Sequence, residues 1–90
     1  MNFKITDKAQ EKLILMKEHN VPIMLTSYKV GWVGKAYKIA SSEQTDNDNI
    51  YYVNGIEIIV PKEFERELKG VKINYGGFFI KDFIVTPFYK

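Results

Sequence analysis

Apolar positions recur along this 90-residue chain with two different periods. Between residues 7 and 20 they fall at Ala9, Leu13 and Met16, the three-to-four spacing of one helix face, with Ile14 or Leu15 widening the stripe. Lys8, Glu11, Lys12 and Glu18 lie largely opposite. Thr6 or Asp7 can cap this helix, and Asp7 with Gln10 has the spacing of a capping box. Asn20 suits a left-handed stop, and Pro22 prevents continuation.

Elsewhere the period is two, or the runs are continuously apolar. Residues 2–5 read as a short extended segment. Residues 23–30 and 35–41 read as strands, with Gly31 and Gly34 bracketing the turn between them and Tyr37 and Ile39 on one side. Residues 42–49 contain no apolar side chain and are predicted to be a solvated loop outside the core. Residues 50–53 and 56–60 flank Asn54-Gly55, the dipeptide of a two-residue hairpin turn with positive φ at both positions. Pro61 is predicted to open a second helix, with Phe64 and Leu68 facing inward and Gly70 ending it. Val71, Ile73 and Tyr75 alternate with Lys72 and Asn74, a half-buried strand. After Gly76-Gly77, residues 78–85 are predicted to be the last strand, which places Phe78 and Phe79 on opposite faces; residues 86–90 follow as a tail. Hairpins dominate and no long crossover helix joins successive strands. The class is α+β with mixed or antiparallel sheets, in one domain over residues 1–90.

Composition narrows the chemistry. With no cysteine, disulfides, thiolate metal sites and thiol redox chemistry have no donor. A net charge of +2, with lysines interleaved among acids, does not point to nucleic acid. Lys29, Lys35 and Lys38 come nearest to a basic run, read as a solvated strand face with a phosphate-binding stripe as the alternative. No apolar stretch is long enough to span a bilayer and residues 1–5 do not resemble a signal peptide, so no membrane partner and a cytoplasmic location are expected.

No catalytic constellation stands out. The serines lack a nucleophile elbow, no phosphate-binding glycine loop exists, and His19 has no carboxylate company. Glu63 and Glu67 read as surface acids paired with Lys62, Arg66 and Lys69. Glu43, Asp46 and Asp48 lack the alternating pattern of a calcium loop. The aromatics are the positive anomaly. Trp32, set between two glycines, is either core or an exposed contact residue, and the sequence leaves both open.

Two segments carry a family resemblance. Gly31-Trp32-Val33-Gly34-Lys35-Ala36-Tyr37 is similar to a Gly-Cys-Ser-Gly-Phe-x-Tyr loop, with Trp32 where the first cysteine would stand. Val60-Pro61, Leu68, Gly70, Ile73-Asn74-Tyr75 and Gly77-Phe78 follow the order of the later block, and Thr6-Asp7-Lys8-Ala9 matches the helix start. Together they resemble the HesB-like domain of A-type iron–sulfur cluster carriers, over residues 5 to 80. The carriers run on to a Cys-Gly-Cys pair, whereas residues 86–90 here hold none. The resemblance implies small sheets curled into a distorted barrel, two helices outside it, and a tendency to dimerise.

Because clusters are held overwhelmingly by thiolates and an indole offers only an N–H donor, no ligand can be carried over and no cofactor is expected. The resulting expectation is a non-enzymatic, metal-free HesB-like domain that contacts a protein partner or a second copy of itself. Gly31, Trp32, Val33, Gly34, Lys35 and Tyr37, with Phe88 and Tyr89, are the candidate contact residues. Two alternatives stand beside it. One is an accessory role in iron–sulfur cluster biogenesis. The other is a small-molecule binder with an aromatic-lined sheet, which a pocket uniting Tyr37, Tyr75 and a buried charge would mark.

Overall fold

Seven strands and two helices make up a computed structural model that describes every residue except Val33. Strand β1 (Asn2–Ile5) leads into helix α1 (Asp7–Glu18), followed by β2 (Met24–Val30), β3 (Gly34–Ala40), β4 (Asp48–Val53) and β5 (Ile56–Pro61). A single helical turn, α2 (Phe64–Glu67), precedes β6 (Leu68–Gly76) and β7 (Asp82–Tyr89). The strands form two sheets, one ordered β1-β6-β7 and the other β3-β2-β5-β4. Both are mixed: β1 runs parallel to β6, β2 parallel to β5, and the remaining pairs are antiparallel. The α+β class is as read from the sequence. The barrel is not closed; the sheets stay open, and β3 approaches β7 without joining its ladder.

Helix α1 begins as its sequence suggests, with one change. Thr6 is the cap, its Oγ1 accepting from the Ala9 N–H at 3.3 Å. The Asp7–Gln10 box does not form, because Gln10 reaches instead to the Asn54 carbonyl at 3.4 Å. The buried stripe is narrow: Ala9 and Leu13 are fully buried and Met16 partly, while Ile14 and Leu15 face outward. Asn20 takes its positive φ, and Asn54-Gly55 turns with φ of 51° and 79°.

Three expectations about the middle and end of the chain are corrected. Asp48 is not a loop residue. It opens β4, and its carboxylate accepts from the Thr45 N–H at 2.7 Å and Thr45 Oγ1 at 3.0 Å, which allows a nearly buried acid. Pro61 does not start a helix; it ends β5, opposite Asp48, where a missing N–H closes the ladder rather than interrupting it. Gly70 does not end a helix either. It lies in β6 beside Asn2, where a Cβ would meet the Asn2 carbonyl oxygen at 2.6 Å. Gly70→Ala is therefore expected to push β1 off β6 and cost about 1–3 kcal/mol. An unchanged urea midpoint would refute this close approach.

The last strand is displaced. The β6–β7 register pairs Gly76 with Asp82 and Tyr75 with Phe83, so residues 77–81 are consumed by the hairpin loop. Phe78, Phe79 and Ile80 all stand in solvent there, instead of dividing between two faces. Residues 86–89, read as a tail, are strand. The core lies between the sheets and α1, with Leu13, Leu25, Ile58, Phe64, Leu68 and Ile73 among its fully buried side chains.

Candidate functional site

The β2–β3 hairpin projects from its sheet. Its root is buried at Met24, Leu25 and Tyr37, whereas Tyr28, Lys29, Val30, Gly31, Trp32, Gly34 and Lys35 are exposed. The two glycines have separate physical reasons. Gly31 takes φ of +66°, which favours glycine, and a Cβ on Gly34 would lie 2.6 Å from the Val30 carbonyl oxygen. The Trp32 side chain is fully exposed. The exposed alternative for Trp32 is the one adopted. Val33 lies outside the described residues.

Below the tip, Lys35, Tyr37 and Tyr89 gather around Glu67, a residue that sequence reasoning missed as a site member. Glu67 Oε1 accepts from Tyr37 Oη at 2.6 Å and pairs with Lys35 Nζ at 2.6 Å. The Lys35 ammonium also lies over the Tyr37 and Phe64 rings, at 5.5 and 5.3 Å from their centroids. Phe64 meets Tyr37 edge-on at 5.2 Å, and Tyr89 approaches Tyr37 at 6.5 Å. The Lys90 N–H donates to the Glu67 carbonyl at 3.1 Å, tying the end of β7 to the same point. Glu67 was read as pairing with its sequence neighbours Lys62, Arg66 and Lys69. Its partners lie some thirty residues away in sequence, beyond the reach of any local pattern.

The electrostatics tie the members of this cluster to one another. Burial pushes the Tyr37 hydroxyl well above the ordinary tyrosine range, and its hydrogen bond to Glu67 adds to the shift. The hydrogen bond from Lys35, then that from Tyr37, holds the Glu67 carboxyl below the usual carboxylate range. Tyr37 stays protonated and Glu67 stays charged around neutrality, the states that hold their hydrogen bond. Tyr37 is thus placed differently from the other candidate contact residues. It is 4% exposed and supports the hairpin from within.

The remaining candidates divide. Tyr89 is exposed on the Glu67 side, whereas Phe88, one residue earlier in the strand, points to the other face of its sheet with Lys4 5.7 Å from its ring. A cleft of about 450 Å³ between β3 and β7 is lined in part by Tyr28, Tyr37 and Ile84. Tyr75 lines no described cleft, and the charged groups here, Lys38 and Asp82, are exposed. The aromatic loop Phe78-Phe79-Ile80 was also missed. The signal available was Gly76-Gly77 before it and Lys81-Asp82 after it, polar and flexible brackets around a short apolar run.

This architecture is the HesB-like fold. The chain superposes on Escherichia coli SufA, a protein involved in biosynthesis of iron–sulfur clusters, with a TM-score of 0.75 and 17% identity over 94% of this chain and 79% of SufA. It superposes on IscA with the [2Fe-2S] cluster at a TM-score of 0.66 and 18% identity, over 96% of this chain and 85% of IscA. No protein-family profile matches the sequence. No curated protein matches it either. The donor set does not fit a cluster: the sequence contains no cysteine, and the described residues bring no three histidines or carboxylates together.

Proposed function

We propose that this chain is a non-enzymatic HesB-like domain that works without a metal, as a protein-interaction module. The β2–β3 turn presents Trp32 to the partner. One observation carries the reading: the chain's single tryptophan stands fully in solvent, on a glycine-bracketed turn whose base is braced by Lys35, Tyr37 and Glu67. An exposed tryptophan is a costly residue to leave idle and a frequent hot spot when a partner covers it. A rigid base limits the entropy lost when the tip is immobilised.

Trp32→Ala tests this. Folding stability should stay within about 0.5 kcal/mol of wild type, as for any surface change. Capture of partner from native lysate should fall by about thirtyfold, the equivalent of a 2 kcal/mol hot spot. Undiminished capture, or a large loss of stability, would remove the argument. Light scattering on the same samples separates a foreign partner from a second copy of the chain.

A second reading, an accessory role in iron–sulfur cluster biogenesis, is favoured by the fold shared with SufA and IscA. It differs in the identity of the partner and not in the surface used.

A further inference from the structure

Strand β2 is paired along its whole length on one side only. All seven of its residues register with β3, but toward β5 the single register pair is Met24 with Ile59. Continuing that parallel register would bring Val60 beside Leu25 and Pro61 beside Thr26. Pro61 has no N–H to offer, and β5 ends there. From Thr26 to Val30 the second edge of β2 is therefore open. Among the described residues no turn or loop backbone hydrogen bond reaches this stretch. In an antiparallel pair, alternate residues direct their N–H and C=O groups away from the neighbouring strand, so part of this backbone faces outward unpaired.

We infer that the open edge of β2, residues 26–30, takes an extended acidic segment of a partner protein as an added strand, with Trp32 closing over one end of it. The inference rests on the interaction reading above and adds the partner's conformation and charge. The backbone chemistry selects the occupant's class. Outward N–H and C=O groups spaced at a strand's repeat are matched by another polypeptide strand, which is the basis of recognition by strand addition. The side chains select its charge. Residues 24–42 hold Lys29, Lys35 and Lys38 and no acid. Lys35 is paired with Glu67, and Asp82 shares a cleft with Lys38, but Lys29, on β2 itself, and Lys38 form no ion pair among the described residues. A second copy is a poor occupant, because antiparallel pairing of two such edges sets lysine-bearing stretches against each other. An edge lysine is a recognised device against self-pairing.

The test uses the whole chain and three synthetic peptides: one alternating glutamate and valine, one alternating lysine and valine, and the glutamate peptide with alternate amides N-methylated. Binding is read from the amide resonances of residues 26–30 and from the emission of Trp32, the only tryptophan. The glutamate peptide should move both. The other two should bind at least about tenfold more weakly, as expected for losing one or two hydrogen bonds or gaining like-charge repulsion.

The inference is overturned if no peptide binds, if N-methylation is harmless, if the lysine peptide binds equally well, or if residues 26–30 are protected in a dimer of the chain. A Trp32 response without any movement at 26–30 defeats strand addition and leaves the Trp32 contact standing. Movement at 26–30 that survives Trp32→Ala undiminished does the reverse.

Discussion

Phe64→Ala is expected to cost about 3–5 kcal/mol, the range for removing a fully buried phenylalanine. Phe64 is 1% exposed and is the only buried side chain of the single turn α2. It packs edge-on against Tyr37 and lies beneath the Lys35 ammonium, so it joins the core to the base of the projecting hairpin. A domain of this size has only about 5–10 kcal/mol of stability to lose. The loss should appear as a fall of roughly 12–40 °C in Tm, at about 4–8 °C per kcal/mol. Thermal denaturation followed by circular dichroism measures it. A loss below about 1 kcal/mol would mean that neighbouring side chains collapse into the space, which the tight packing of protein interiors argues against.

The second large effect is alkaline destabilisation. Burial raises the Tyr37 hydroxyl, and Glu67 raises it further. Burial, helped by the hydrogen bond that Tyr51 Oη donates to Glu65, pushes Tyr51 up to about 12. Because both folded-state values lie above the unfolded one, each group's contribution is intact below pH ~10 and is lost as pH rises through its folded value. Between those limits each group can remove up to about 1.4 kcal/mol per pH unit. Urea midpoints measured from neutrality upward should stay level and then drop steeply above pH ~10. The Tyr37→Phe, Tyr51→Phe pair of substitutions should flatten that drop. An identical decline in the double variant would assign it to other groups. Glu67 has the opposite sign: its contribution is present above the usual glutamate range and fades as acid titrates its lowered carboxyl. That loss should be small, because the side chain is about one-third exposed and solvent screens the pair.

Phe64 was read as facing inward and is buried, whereas the acids that raise Tyr37 and Tyr51 were not legible in the sequence. Helix α1, the Asn54-Gly55 hairpin and the alternation of Val71, Ile73 and Tyr75 are local patterns, written in residues three to four or two apart, and each appears as read. Pro61 and Gly70 were assigned from what proline and glycine do at helix ends. Their actual neighbours, Asp48 and Asn2, are distant in the chain, and tertiary pairing overrode the local signal. Phe78, Phe79 and Ile80 read as strand because aromatic and branched residues favour strands; the pairing of Gly76 with Asp82 left them no partner. Within the site, the glycine-bracketed turn and its tryptophan were visible as a motif. Glu67 was not, since nothing near it in sequence distinguishes it from Glu63 or Glu65.

The pairing of β1 with β6 has a consequence for how the molecule comes into being. The hydrogen bond from Thr6 to Asn74, at the end of that ladder, joins residues 68 positions apart. A nascent polypeptide leaves the ribosome amino end first, so β1 stays unsecured until β6 has been made. The two inner hairpins, each closed by a short turn, can assemble meanwhile. β1 then enters a structure that the segments between it and β6 have begun to build.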